Sequence, residues 1–136
     1  MTDMNSISSI LQDKLMMFWL CMLLHLLADF PLQGILADLK QKSWWDQHTN
    51  SYSRKKYQND YQIAMLCHAL MWSLVTFSPL AFVVNRYAFS VIIVWNAWIH
   101  GTIDHFKANE LKLNLVEDQT FHAIQIILTI LIVYHF

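Results

Sequence analysis

Four long apolar segments dominate this 136-residue chain and limit its fold more than any other feature. They cover residues 15–37, 62–84, 87–106 and 119–136, and a helix needs roughly 20 mostly apolar residues to cross a bilayer. A soluble bundle would show a polar face repeating along each helix. The last segment contains AIQIILTILIV, in which that face is almost absent. The sequence predicts an all-α protein, an integral membrane bundle of four transmembrane helices.

The composition agrees with a single membrane domain over residues 1–136. Hydrophobic residues make up 56% of the chain and charged residues only 14%. The net charge of −1 gives no reason to expect a nucleic-acid partner, so the expected partner is the lipid bilayer. The N-terminal MTDMNSISSILQDK has no basic region before the first apolar segment, so no cleavable signal is predicted.

Basic residues are distributed unequally between the two sides of such a bundle. The side with both termini carries Lys14 and Arg86, whereas the opposite side carries the other seven Lys and Arg residues. Because cytoplasmic loops are enriched in Lys and Arg, we expect loop 38–61 and the loop after the third span to be cytoplasmic. Both termini then face outward.

In three of the four predicted helices a histidine and an aspartate lie four residues apart, the fourth helix beginning with Asp118 just before its apolar segment. This spacing places both side chains on one helix face. The pairs are His25/Asp29, His100/Asp104 and Asp118/His122, and the second segment adds His68. In four antiparallel spans, all seven side chains fall at a similar depth near the cytoplasmic side. Ionisable residues at that depth are costly and indicate function by default.

Inward-facing histidines and carboxylates are how helix bundles build metal sites. Zinc is the favoured metal, with manganese, iron or nickel as alternatives, and the choice between one ion and two stays open. The expected principal ligands are His25, Asp29, His100 and Asp104. His68 and His122 are expected to complete or support the site, and Asp118 is the expected general base or orienting group.

The same pairs also have a purely structural explanation, in which neutralised ion pairs hold the helices together. Three further histidines, His48, His105 and His135, are expected to lie outside the cluster. Trp72 and the other tryptophans of the spans are expected to face lipid or to pack.

Pro31 predicts an interruption in the first span. It lacks an N–H and disfavours helix at Phe30, so the helix is expected to kink or end there. Irregular backbone at membrane depth is tolerated only against protein or a wet cavity. The sequence therefore predicts a small water-accessible pocket beside Asp29.

The motifs HLLADFPLQ, CHALMW, HGTIDHFK and EDQTFH occur in this order along the chain. Together they resemble a family of small bacterial and phage inner-membrane proteins catalogued as domain of unknown function 3307. The residues that match its pattern are His25, Asp29, Phe30, Gln33, His68, His100, Asp104, Lys107, Asp118, Gln119 and His122. The resemblance implies a multi-pass protein of the bacterial inner membrane and supplies no activity.

The favoured function is a membrane-embedded metal-dependent hydrolase with its site near the cytoplasmic face. Its substrate would be a lipid-linked or membrane-embedded ester, phosphoester or peptide. The H-x3-D motif alone is similar to that of inner-membrane proteins thought to be metal-dependent hydrolases, which is an analogy. The alternatives are an ion or proton transporter and a non-catalytic phage or host membrane regulator. Oligomerisation stays open.

Overall fold

The computed structural model describes residues 13–135, and these residues form helices and turns without a strand. The helices in chain order are α1 (Lys14–Asp29), α2 (Leu36–Leu39), α3 (Lys42–His48), α4 (Ser51–Tyr57), α5 (Asp60–Phe77), α6 (Arg86–Ala108) and α7 (Leu115–His135). A 3₁₀ turn, Ser78–Phe82, extends α5. The predicted all-α class is confirmed.

Short polar side chains begin the long helices α1, α6 and α7. The Asp13 carboxylate accepts the Leu15 N–H of α1 at 2.8 Å, and Asn85 accepts two N–H groups in the first turn of α6. At α7, the Asn114 side chain accepts from the Glu117 N–H while the Glu117 carboxylate accepts from the Asn114 N–H. These bonds satisfy N–H groups that have no partner inside the helix.

The first long helix ends where Pro31 predicts. Helix α1 stops at Asp29, and residues 30–35 form a turn in which Gly34 adopts a φ of +50°. The predicted span 15–37 is therefore not one continuous helix, and its last residues lie in this turn and in α2. This turn also brings the chain back towards the end of α1.

The four long helices form a closed bundle. Helix α1 packs against α5 and α7, and α6 packs against the same two helices. The contact between α5 and α6 is close at Gly101, where an added Cβ would lie 3.3 Å from the Cβ of Ala69. Close approach through small residues is typical of helix packing in membranes.

Two helices among residues 13–135, Asp60–Phe82 and Leu115–His135, are long and apolar enough to cross a membrane. Helix α1 has 16 residues, about 24 Å at 1.5 Å per residue, which is short for a bilayer core of about 30 Å. Helix α6 has 23 residues, but Asn96, His100 and Asp104 lower its hydropathy. Four spans therefore remain a prediction, and the end of the fourth predicted span, residue 136, lies outside the described residues.

Polar side chains occupy an unusual share of the interior. Besides Pro79, the buried residues of the described chain are 13 hydrophobic and 11 polar or charged residues. A hydrophobic cluster around Trp72, Phe77, Ile126 and Ile130 fills part of the bundle. The buried histidines and aspartates lie together next to it, at the end of the bundle where α1 and α6 finish and α5 and α7 begin.

Candidate metal centre

The structure brings all seven predicted site residues into one buried cluster. The four histidines His25, His68, His100 and His122 are fully buried. Asp29, Asp104 and Asp118 are exposed by 5% or less. Each long helix contributes, because antiparallel helices place the end of α1 and α6 beside the start of α5 and α7. Three carboxylates in one dry interior need cations or hydrogen-bond donors around them.

Four of these residues form the tightest group. One donor atom each from Asp29, His68, His100 and Asp104 can be chosen so that all lie within 4.8 Å of one another. The Nε2 atom of His68 lies 3.1 Å from His100 Nε2 and 3.4 Å from Asp29 Oδ1. It lies 3.2 Å from Asp104 Oδ2.

These separations match the spacing of ligands around a small metal ion. A tetrahedral zinc site with bonds of about 2.0–2.1 Å places its ligand atoms roughly 3.3 Å apart. The wider separations, from His100 Nε2 to Asp29 Oδ1 and to Asp104 Oδ1, are 3.8 and 3.7 Å. Two imidazoles and two carboxylates are also a donor set that zinc accepts. The residues present therefore fit a divalent metal.

A second group shares Asp29 with the first. Asp29, Asp118 and His122 also offer donor atoms within 4.8 Å of one another. His122 Nε2 lies 3.4 Å from Asp118 Oδ1, and neither atom makes a hydrogen bond within the described chain. Leaving two buried polar atoms without hydrogen bonds lowers the stability of the fold unless another group, such as a metal ion, bonds to them. Asp29 is placed as a shared carboxylate between two groups of donors.

His25 belongs to the cluster but has both ring nitrogens engaged in hydrogen bonds. The Trp72 indole N–H, which can only donate, bonds to His25 Nδ1 at 2.9 Å. His25 Nε2 therefore carries the proton and donates to Gln119 Oε1 at 3.0 Å. A neutral imidazole bonded in this way has no lone pair left for a metal. His25 thus belongs to neither group of donor atoms, whereas the sequence predicts a principal ligand.

Gln119 connects His25 to the carboxylates. Its side-chain amide donates to Asp29 Oδ2 at 2.9 Å and to Asp118 Oδ2 at 3.0 Å. Trp72, Gln119 and His25 thus form a chain of hydrogen bonds that fixes two of the carboxylates. Partners of this kind orient metal ligands and are part of a metal site's design.

Two lysines neutralise the open side of the cluster. The Lys40 ammonium pairs with Asp104 Oδ2, and the Lys40 side chain is only 12% exposed. The Lys107 ammonium lies 2.6 Å from Asp118 Oδ2 and is 35% exposed. Lys40 follows α2, so the turn after α1 is what returns it to the site. These pairs also suit the structural alternative, in which the cluster holds the bundle together.

The cavity nearest the cluster does not lie beside Asp29, where the sequence predicts a pocket. A cavity of about 320 Å³ lies on the lysine side of the cluster, and Gln33, Lys40, Asp104 and Lys107 line it. It reaches Asp104 rather than Asp29. Gln33 donates from its amide to the backbone carbonyl of Asp29, which holds the turn against the end of α1.

Sequence reasoning missed Trp72 and Lys40 as parts of the site. The Trp72 ring is fully buried and stacks on the His100 ring with centroids 3.9 Å apart. Its one signal in the sequence is its position four residues after His68, on the same helix face. Lys40 carries no such signal, because its position depends on the turn at residues 30–35.

The three excluded histidines lie outside the two groups of donor atoms. His48 is exposed and stacks on Trp44, and His105 pairs with Glu110 at the surface with 40% of its side chain exposed. His135 is exposed at the far end of α7. They can therefore serve as controls.

Comparisons of the chain with protein-family models, with curated proteins and with solved structures found no match. The motif resemblance to domain of unknown function 3307 thus stays a prediction from the sequence.

Proposed function

We propose that this chain is a membrane-embedded metalloprotein built from four spans. Its surface supports this proposal, because large apolar side chains are exposed along all four long helices, among them Trp19, Ile63, Val91 and Leu128. A soluble bundle would bury such residues and expose the charged ones. Here three aspartates of the long helices, Asp29, Asp104 and Asp118, are buried instead. Lipid is the solvent that suits this distribution.

The proposed orientation follows the basic residues. Both termini face outward and loop 38–61 faces the cytoplasm of a bacterial cell, with the protein in the inner membrane. The cluster then lies near the cytoplasmic face. Helix α1 is short for a full span, and local thinning of the bilayer or the adjoining turn accommodates the difference.

The proposed activity begins with a divalent metal, zinc being favoured, held by Asp29, His68, His100 and Asp104. The observation that carries this proposal is the set of 3.1, 3.2 and 3.4 Å separations from His68 Nε2 to donors on two other helices. Ion pairs that only lock a bundle do not require two imidazole nitrogens in contact. A metal ligand set does, because all donors point to one centre.

The proposed reaction is hydrolysis of an ester or phosphoester at the membrane interface. A divalent metal at this position would polarise a water molecule and a substrate oxygen. Asp118, which is paired with His122, is the proposed acceptor of the water proton. Lys107 and Gln119 both bond to its Oδ2 and so affect how readily the carboxylate accepts this proton. The cavity beside Asp104 is the proposed route by which water and the substrate headgroup enter.

Metal content tests this proposal. The protein would be purified in detergent, dialysed against trace zinc, manganese, iron and nickel, and measured by mass spectrometry of the elements on the monodisperse fraction. We expect near-stoichiometric zinc, and X-ray anomalous scattering at the zinc edge should place it among Asp29, His68, His100 and Asp104. A monodisperse protein that retains no metal would refute the metal centre and favour the structural explanation.

A second candidate function, transport of protons or ions, has one observation in its favour. Polar side chains continue along the bundle beyond the cluster, where Gln125 and Thr129 donate to Asn96 Oδ1 at 2.9 and 3.0 Å. Proteoliposomes containing a pH-sensitive dye distinguish the two functions. Transport requires a flux that depends on Asn96, whereas a hydrolase with a one-sided site gives no flux.

A further inference from the structure

The cavity beside the cluster combines features that none of the proposed metal ligands explains. It has a volume of about 320 Å³, and its polar lining comes from Gln33, Lys40, Gln41, Asp104 and Lys107. Leu111 completes the rim and is 83% exposed. The cavity therefore has a carboxylate of the cluster in its wall, two ammonium groups beside it and an apolar edge.

Once a metal is bound, the two lysines supply more positive charge than the carboxylates of the cluster need. Three carboxylates against two ammonium groups leave one negative charge, if the imidazoles are neutral. A divalent ion changes that balance to one positive charge. A buried positive charge draws an anion to the nearest accessible point, which is the cavity.

We propose that this cavity is a phosphate-binding subsite in which Lys40 and Lys107 hold the phosphate group of a phosphoester substrate. The proposal rests on the proposed metal centre and names the substrate class of that site. Metal binding at Asp104 takes over the neutralisation of this carboxylate, so the Lys40 ammonium becomes available to the anion. Lys107 already lies partly in solvent and turns from Asp118 to the same group.

The chemistry of the lining favours phosphate over a carboxylate ligand. Lysine ammonium groups are common phosphate binders, and two of them suit a group with several charged oxygens. The amides of Gln33 and Gln41 border the same cavity and can donate further hydrogen bonds, although each now donates to a backbone carbonyl one turn earlier. The apolar rim at Leu111 suits a phosphate that carries a hydrocarbon chain as well as a small soluble one.

Binding to zinc-loaded protein in detergent tests the subsite without a turnover assay. Glycerol 3-phosphate is titrated calorimetrically in one arm, and nanodiscs with or without phosphatidic acid are used in the other. Binding in both arms identifies the phosphate group itself as the ligand. Binding of phosphatidic acid alone assigns the site to lipids, and binding of glycerol 3-phosphate alone assigns it to soluble compounds; each outcome supports the subsite.

Lys107→Gln is the main variant, because the Lys107 side chain is 35% exposed and a glutamine amide can still donate a hydrogen bond to Asp118. We expect roughly tenfold weaker phosphate binding with unchanged zinc content, in line with the loss of a charged hydrogen bond. Lys40→Arg keeps the charge and should preserve binding, whereas Lys40→Gln should weaken it. Lys112→Gln is the matched control, because Lys112 is 63% exposed, pairs with Glu110 and is not among the residues that line the cavity.

The two proposals fail in different ways. Zinc-loaded wild type that binds no phosphate in either arm, or Lys107→Gln protein that binds it as wild type does, overturns the subsite and leaves the metal centre standing. A wild type that holds no zinc overturns the proposed function. Phosphate binding that is equally strong with and without zinc overturns the charge argument that links the subsite to the metal.

Discussion

The Nε2 atoms of His68 and His100 lie 3.1 Å apart in the interior of the bundle. Two imidazole nitrogens at this distance need a shared proton or a common metal, because two lone pairs would repel each other. Asp104 lies beside both, with Oδ2 3.2 Å from His68 and Oδ1 3.7 Å from His100. The carboxylate oxygens beside the two rings suit both a protonated imidazole and a divalent metal, and metal content distinguishes the two.

Removal of a ligand should abolish metal binding. We expect His100→Ala and Asp104→Asn each to lose stoichiometric zinc, measured on folded, monodisperse protein. Each change also leaves buried partners uncompensated, so a lower unfolding temperature does not distinguish loss of metal from loss of these contacts. His48→Ala and His135→Ala are the controls and should keep the metal content of the wild type. Unchanged zinc in both site variants would eliminate the metal centre.

His25 should behave as a supporting residue, not as a ligand. Because its nitrogens bond to Trp72 and Gln119, His25→Ala should weaken zinc affinity about 10- to 100-fold, the effect typical of ligand-orienting partners, while zinc still binds at saturation. Trp72→Phe removes the indole N–H that bonds to His25 and part of the buried ring that stacks on His100, and should also weaken zinc affinity. Competition with a zinc-sensitive dye measures both. A His25→Ala protein that cannot be saturated with zinc would show that His25 is a metal ligand.

The convergence of the site was predictable because it depends on two simple properties of the chain. The spacing of four residues fixes which side chains share a helix face, and the antiparallel order fixes which helix ends meet. His100 and Asp104 come together with His68 on these grounds alone. The end of α1 was predictable as well, since Pro31 removes a donor and restricts the residue before it.

Which residues of the cluster have free ligand atoms and which are held in hydrogen bonds was not predictable from the sequence. Whether His25 binds a metal or supports its neighbours depends on the positions of Trp72 and Gln119, which come from different helices. The approach of Lys40 to Asp104 joins residues 64 positions apart through a turn whose path the sequence does not specify. Such contacts depend on tertiary packing, which local patterns do not encode.

The close contact at Gly101 should control the spacing between α5 and α6. A Cβ there would meet Ala69 at 3.3 Å, and Gly101 is adjacent to His100. We expect Gly101→Val to destabilise the protein by about 1–3 kcal/mol through overpacking and to weaken zinc binding by separating His68 from His100. Thermal unfolding in detergent and zinc titration measure the two effects. Thr102→Val, on the exposed side of α6, is the control.

Gly101→Val protein with wild-type stability and zinc affinity would show that the two helices are not held at this distance. Gly101→Ala adds only the methyl group, whose close contact with Ala69 is opposed by a gain in helix propensity, and should have a smaller effect. The graded pair thus separates a steric effect from a general loss of helix flexibility.

Reporter fusions should place the cluster at the cytoplasmic face. Seven of nine basic residues lie on the side of loop 38–61, so a reporter inserted between α3 and α4, after Thr49, should read cytoplasmic. A reporter after the C-terminus should read periplasmic. The insertion point lies between helices Lys42–His48 and Ser51–Tyr57, which leaves both intact, and a zinc measurement on the fusion confirms that it is folded. The reverse pattern would move the cavity and its lysines to the outer face, and the substrate would have to be sought there.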